Sequence, residues 1–281
     1  MGFAPEDLGL GRAGLPLLRN LIHERTGIHY ADDRFDMLCS RLAPLVIAQG
    51  FQSFLDFYYL LKYDDLQASK EWRRVMDALS VQETYFWREI DQIKGLACRI
   101  LPELAKHSKG GPLRIWSVPC ATGEEPLTIA MVLEEAGWFD RLPIEIHASD
   151  GSPLAIERAR AARYRSRAFR ALPDALREKY FVPDGQALAP VPSLSARVTS
   201  WSVVNLMAAS EIALLARSPV IFCRNAFIYF SPESVKTVVE AFADLMPMPA
   251  YLFVGASESL MNVTDRFRLD DLEQSFVYVK R

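Results

Sequence analysis

Metal-ligand spacing, long apolar runs and glycine-rich phosphate loops are all missing from this sequence. Its four cysteines, Cys39, Cys98, Cys120 and Cys223, are scattered, and with only four histidines they make no zinc ligand set. Thiols so placed are expected to be reduced, as in a cytosol, so a cytoplasmic location is expected. No apolar run approaches the roughly 18–20 residues of a membrane span, and no secretory leader is expected, which argues against membrane insertion. A formal net charge of −3 gives no global pull toward nucleic acid or an anionic membrane. Repeats and low-complexity tracts are absent too. What is present is a chain of 281 residues, half of them hydrophobic, long enough to bury a large core in two domains.

Residues 1–90 read as helices. "LGRAGLPLLRNLIHERTGI", "DRFDMLCSRLAPLVIAQG", "SFLDFYYLLKY" and "SKEWRRVMDALSV" each place apolar residues at helical spacing. Gly27 and Gly50 are the expected helix stops, and Ser53 and Ser69 the expected N-caps. This predicts a small all-helical domain. Over residues 91–281 the pattern changes. The short apolar runs "LRIWSV", "IEIHASD", "VTSWSVV", "VIFCRN" and "YLFVGAS" alternate with helical segments, which predicts an open α/β, mostly parallel sheet with helices on both faces. Residues 181–197 break the rhythm with prolines and are either a loop or a small antiparallel insertion. The closing "RLDDLEQSFVYVKR" suits one or two antiparallel edge strands.

Ligands of open α/β sheets sit at the carboxyl ends of the strands, so the residues after each run carry the argument. The turn "CATGEEP" has one glycine, Gly123, and no P-loop lysine, so it suits neither a pyrophosphate nor a triphosphate. Glu124 and Glu125 there either complement the helix dipole or face a cationic ligand. Asp150 is either an exposed turn residue or an acceptor for two ribose hydroxyls. Arg224-Asn225, with Tyr229 close behind, is a capping pair or part of the same ligand face. Together these favour a nucleoside that carries positive charge and no phosphate, a description that S-adenosylmethionine meets.

"SVQETYFWRE", "LRIWSVPCATGEEP", "HASDGSPLAIERARAARY", "WSVVNL", "VIFCRNAFIYF" and "FVGASESL" resemble, in order and spacing, the motif series of the CheR-type chemotaxis-receptor protein-glutamate methyltransferases. The resemblance runs from about residue 15 to the end. It implies a Rossmann-like class I methyltransferase domain behind a helical substrate-recognition domain. It also implies S-adenosylmethionine as cofactor, S-adenosylhomocysteine as product, and glutamate side chains on the cytoplasmic helical domain of methyl-accepting chemoreceptors as substrate. By the same resemblance Gln82, Thr84, Arg88, Glu125, Asp150, Asn205, Leu206, Arg224 and Asn225 are cofactor contacts. Arg88 and Tyr229 are the catalytic pair, Arg34 and Arg41 are substrate-binding, and no metal takes part.

The sequence also departs from the family. Gln82 stands where an asparagine is usual, and Pro44, Leu45 and Ile47 occupy places that are often arginine, which thins the basic helix meant to face the receptor. The 181–197 insertion looks shorter than in members that dock a receptor's C-terminal pentapeptide, so no such tether is expected. Two other readings stay open: a non-catalytic S-adenosylmethionine-binding sensor or scaffold, and a methyltransferase with another acceptor.

Overall fold

The computed structural model of the protein describes residues 13–107 and 110–281. It opens with four helices, α1 (Leu15–Thr26), α2 (Phe35–Ala48), α3 (Phe54–Tyr63) and α4 (Asp65–Leu79). Residues 10–12 of the first expected helix lie outside the described residues; the helix itself starts behind Gly14 and stops at Gly27, as expected. Leu18, Leu38, Leu42, Val46, Phe54, Phe57 and Val75 meet in one fully buried cluster, which gives these helices a core of their own. Ser53 caps α3 by accepting the Asp56 N–H. The expected cap at Ser69 is corrected: Asp64 accepts the Gln67 N–H, α4 starts there, and Ser69 lies within the helix. Aspartate caps as well as serine, and the periodic pattern extends back to it.

Next, α5 (Ile90–Gly95) and α6 (Leu101–Lys106) are joined through a π turn at Leu96–Ile100. The alternating region follows: β1 (Leu113–Ser117), α7 (Glu124–Glu135), β2 (Ile144–Asp150), α8 (Pro153–Ala161), α9 (Asp174–Tyr180), β3 (Phe181–Asp184), β4 (Ala187–Pro190), α10 (Pro192–Ser195), β5 (Val198–Val203), α11 (Ala209–Ile212), β6 (Val220–Phe222), α12 (Pro232–Leu245), β7 (Tyr251–Phe253), β8 (Phe267–Asp271) and β9 (Phe276–Lys280).

Seven strands form one sheet in the order β5-β2-β1-β6-β7-β9-β8. The first five are parallel, and β9 runs antiparallel to both β7 and β8. Side chains alternate across it as strand geometry requires. Ile115, Phe222 and Phe253 join Ile129 and Leu133 of α7 on one face. Trp116, Ile221 and Leu252 join Val238 and Phe242 of α12 on the other. Residues 181–190 form a separate hairpin, β3 with β4, and α10 follows, so the insertion is antiparallel and not a loop. Strand order reverses at β1, which opens a crevice beside β6 at the strands' carboxyl ends. Among the described residues no helix is long and apolar enough to cross a membrane.

Candidate active site

That crevice is a cavity of about 370 Å³, walled on one side by the sheet's carboxyl ends and on the other by the helical unit. Its size is that of a small-molecule site. Thr84, Arg88, Glu125, Asp150, Asn205, Leu206, Arg224, Asn225 and Tyr229 line it, and so do Arg34 and Arg41. Gln82 does not. Its Oε1 accepts from Arg158 Nη1 at 2.7 Å and its Nε2 reaches Ser152 Oγ at 3.4 Å, so it braces the junction from outside.

The turn after β1 depends on Gly123, whose φ of 97° is left-handed. A Cβ there would come within 2.9 Å of both the Trp201 ring and the Tyr164 hydroxyl. The turn delivers two carboxylates with different fates. Glu125 lines the cavity, with its Oε1 accepting from Ser117 Oγ at 2.7 Å and its Oε2 lying 3.4 Å from Arg224 Nε. Burial pushes its pKa up, against the pull of Arg224 and Ser117. Glu124 is also buried but does not line the cavity; it accepts from Thr122 Oγ1 at 2.7 Å.

Asp150 is buried rather than an exposed turn residue. Its Oδ2 accepts the Ala121 N–H (3.0 Å) and its Oδ1 the Ser152 N–H (2.8 Å). Burial pushes its pKa up to about 6 despite those two donors. A carboxylate has room for further hydrogen bonds, so the hydroxyls of a ribose remain compatible with this geometry.

Arg224 is almost wholly enclosed. Its Nη2 donates to the Arg88 carbonyl at 2.7 Å. Nε and Nη1 have no hydrogen-bond partner among the described residues, the 3.4 Å approach to Glu125 being an ion pair without hydrogen-bond alignment. Buried guanidinium donors left open in this way suit an anionic group on a ligand. Asn225 takes a left-handed φ of 58°, with its N–H on Glu258 Oε2 at 2.8 Å.

Arg88 sits between Trp87 (φ 72°) and Glu89 (φ 48°), both left-handed and neither glycine. Strain of this kind is concentrated where a side chain must be aimed. Its Nη1 donates to the Glu83 carbonyl at 3.1 Å. Asn205 lines the cavity and also makes structural hydrogen bonds. Its Nδ2 donates to the Arg25 carbonyl (2.7 Å) and its Oδ1 accepts the Met207 N–H (3.0 Å), so the side chain ties the two units together. Arg41 is no outward face residue either: it lines the cavity with its Nη1 on the Leu79 carbonyl.

Three residues escaped the sequence reading. Tyr30 is buried in the cavity wall, its pKa raised by burial, on a link between helices that has no periodic signal. Glu89 accepts the Ala256 N–H at 3.0 Å and faces Arg224. Glu258 takes the N–H groups of Asn225, Gly255 and Ile228, and its place within "FVGASESL" was the available signal.

Residues 82–276 match the family described as CheR methyltransferase, SAM binding domain, and residues 13–80 match CheR methyltransferase, all-alpha domain. Chemotaxis protein methyltransferase 2 of Vibrio cholerae is 31% identical, over 93% of this chain and 91% of its own length. The chemotaxis protein methyltransferase of Vibrio parahaemolyticus is 32% identical, over 92% and 93%. That of Escherichia coli is 30% identical, over 94% and 90%. The site fits S-adenosylmethionine chemically, with half-buried Glu125 and buried Asp150 suited to its cationic and ribose parts and the open donors of Arg224 to its carboxylate. The chain belongs to the CheR methyltransferase family, with S-adenosylmethionine as its cofactor.

Proposed function

We propose that the chain methylates glutamate side chains on the cytoplasmic helical domain of chemoreceptors, forming glutamyl methyl esters and S-adenosylhomocysteine. One observation carries this reading: charge is divided within a single cavity. The α/β unit contributes the carboxylates Glu125 and Asp150 with one cation, Arg224, while the helical unit and the junction contribute Arg34, Arg41 and Arg88 with one carboxylate, Glu83. A cationic cofactor and an anionic acceptor are thereby both provided for. The helical unit then takes part in recognising the target glutamate, through the arginines it brings to the cavity.

When bound, S-adenosylmethionine supplies a methyl carbon made electrophilic by its sulfonium. A glutamate side chain has a reference pKa near ~4.3, so the acceptor is already the nucleophilic carboxylate at neutral pH and no general base is needed. Arg88 would hold that carboxylate and offset the loss of its water. Productive geometry requires a carboxylate oxygen about 3–3.5 Å from the methyl carbon, in line with the departing sulfur. Arg88 would hold the carboxylate in place as that oxygen takes the methyl group and S-adenosylhomocysteine leaves. Tyr229 bounds the space around the reacting atoms. No pentapeptide tether is inferred, because β3 and β4 are only four residues each. Specific binding of a receptor C-terminal pentapeptide would overturn that point.

The test is incubation with methyl-labelled S-adenosylmethionine and receptor cytoplasmic fragments, followed by alkali. Labelled methanol is expected, and Arg88→Ala should abolish it while leaving the circular dichroism spectrum intact. No methanol from any receptor of the organism would refute the reading; activity retained in Arg88→Ala would remove Arg88 from the reaction.

A further inference from the structure

Residues 158–173 contain Arg158, Arg160, Arg163, Arg165, Arg167 and Arg170 and no acidic residue. All six are exposed, in a chain whose formal net charge is −3. They lie on α8 and the segment after it, and none of them lines the cavity.

The run starts at the cavity's rim. Arg158 Nη1 donates to Gln82 Oε1 at 2.7 Å. Arg167 and Arg170 both pair with Glu83, at 3.1 and 3.0 Å, and Arg170 lies 3.7 Å over the Tyr85 ring. Glu83 and Tyr85 are themselves cavity-lining residues. Midway along the run Arg163 pairs with Asp184 of the β3–β4 hairpin at 2.8 Å. Two carboxylates therefore face six guanidinium groups, and Arg165 has no side-chain partner among the described residues.

The helix that the family resemblance makes receptor-facing is poor by comparison. Arg41 is the sole basic residue in α2, which also carries Asp36, and Arg41 lines the cavity. Exposed Ile47 is apolar, and exposed Met37 lines the cavity. An acidic partner meets little positive charge there.

We propose that the arginine run of residues 158–170 is a docking surface for the acidic face of the receptor helix that carries the target glutamate. This rests on the receptor-glutamate reading of the substrate. Single exposed ion pairs contribute little, so such a surface acts collectively, on encounter rate and register, and not on the chemical step.

The test uses Arg163→Glu/Arg165→Glu, which touches no cavity residue, with Arg163→Lys/Arg165→Lys as the charge-keeping control. At low salt the KM for a receptor fragment should rise about tenfold, with kcat at saturating receptor and the Kd for S-adenosylmethionine unchanged. The dependence of KM on salt should flatten, and the lysine pair should restore both. The unchanged cofactor Kd also reports a folded variant; if the glutamate pair does not fold, Arg163→Gln/Arg165→Gln takes its place. A KM and salt dependence equal to wild type would overturn the proposal. So would lost binding to anionic vesicles with an unaltered receptor KM, which would assign the surface to lipid. A wild-type protein that methylates no receptor fragment would instead overturn the substrate reading, and this surface with it.

Discussion

Asp150 holds its carboxyl between the N–H groups of Ala121 and Ser152, in surroundings that push its pKa up to about 6. An unfolded aspartate titrates near ~3.9, so the folded state binds this proton more tightly. The resulting contribution to stability is fully present below about pH 4 and is lost as the pH rises through about 6. Cofactor binding is expected to run the other way, because ribose hydroxyls held at Asp150 would donate to the ionised carboxylate. By calorimetry at fixed ionic strength, the Kd for S-adenosylmethionine should be level above pH 7 and rise about tenfold per unit below about pH 6. Glu125, raised by burial, acts in the same direction. Asp150→Asn should reduce the slope and leave a buried N–H without its acceptor, lowering stability by about 1–3 kcal/mol. A level profile down to pH 5 would remove Asp150 from the cofactor's contacts.

β6 and β7 end side by side, and the loops that leave them touch at Gly255. A Cβ there would lie 2.4 Å from Asn225 Nδ2 and 2.9 Å from Asn225 N, both within one loop that Glu258 pins through its backbone. Gly255→Ala must therefore displace Asn225. Overpacking of this sort costs about 1–3 kcal/mol, so a lower Tm and about tenfold weaker cofactor binding are expected. Unaltered affinity would show that Asn225 does not contact the cofactor. The glycine was legible only as a member of "FVGASESL", since what forbids a side chain is a neighbour thirty residues away in sequence. The parallel strands were easier to read, because buried strands are short apolar runs that need no partner to be recognised. The Asp64 cap was hidden by a second plausible capper, Ser69. Arg41, which lines the cavity, and Gln82, which does not, show another limit: spacing says which face of an element a residue occupies, but not whether another unit covers that face. Local pattern carries local structure, and tertiary closure decides the rest.

The helical unit and the sheet form opposite walls of one cavity, so ligand affinity and the docking of the two units are linked. Polar ties cross between them, that of His23 with Ser231 at 2.9 Å included. Asp77 of α4 accepts from Ser152 Oγ and from the Leu154 N–H at the start of α8; Asn205 donates to the Arg25 carbonyl; His29 N–H donates to the Tyr229 carbonyl. Asp77 also sets a carboxylate at the positive end of α8. It does not line the cavity, although its neighbours Met76 and Leu79 do. Asp77→Ala would leave the Leu154 N–H without its acceptor and weaken the contact between units by about 1–3 kcal/mol, while removing no ligand contact. Wild-type protein should melt in one calorimetric transition stabilised by S-adenosylmethionine, by about 2.7 kcal/mol at a hundredfold excess over Kd. In Asp77→Ala the helical unit should melt first, and the cofactor Kd should rise about tenfold, because one wall of the site is then held less often in place. A single transition with unchanged Kd would mean that the Asp77 ties do not hold the units together; a raised Kd would place the control of affinity at a residue that touches neither cofactor nor substrate.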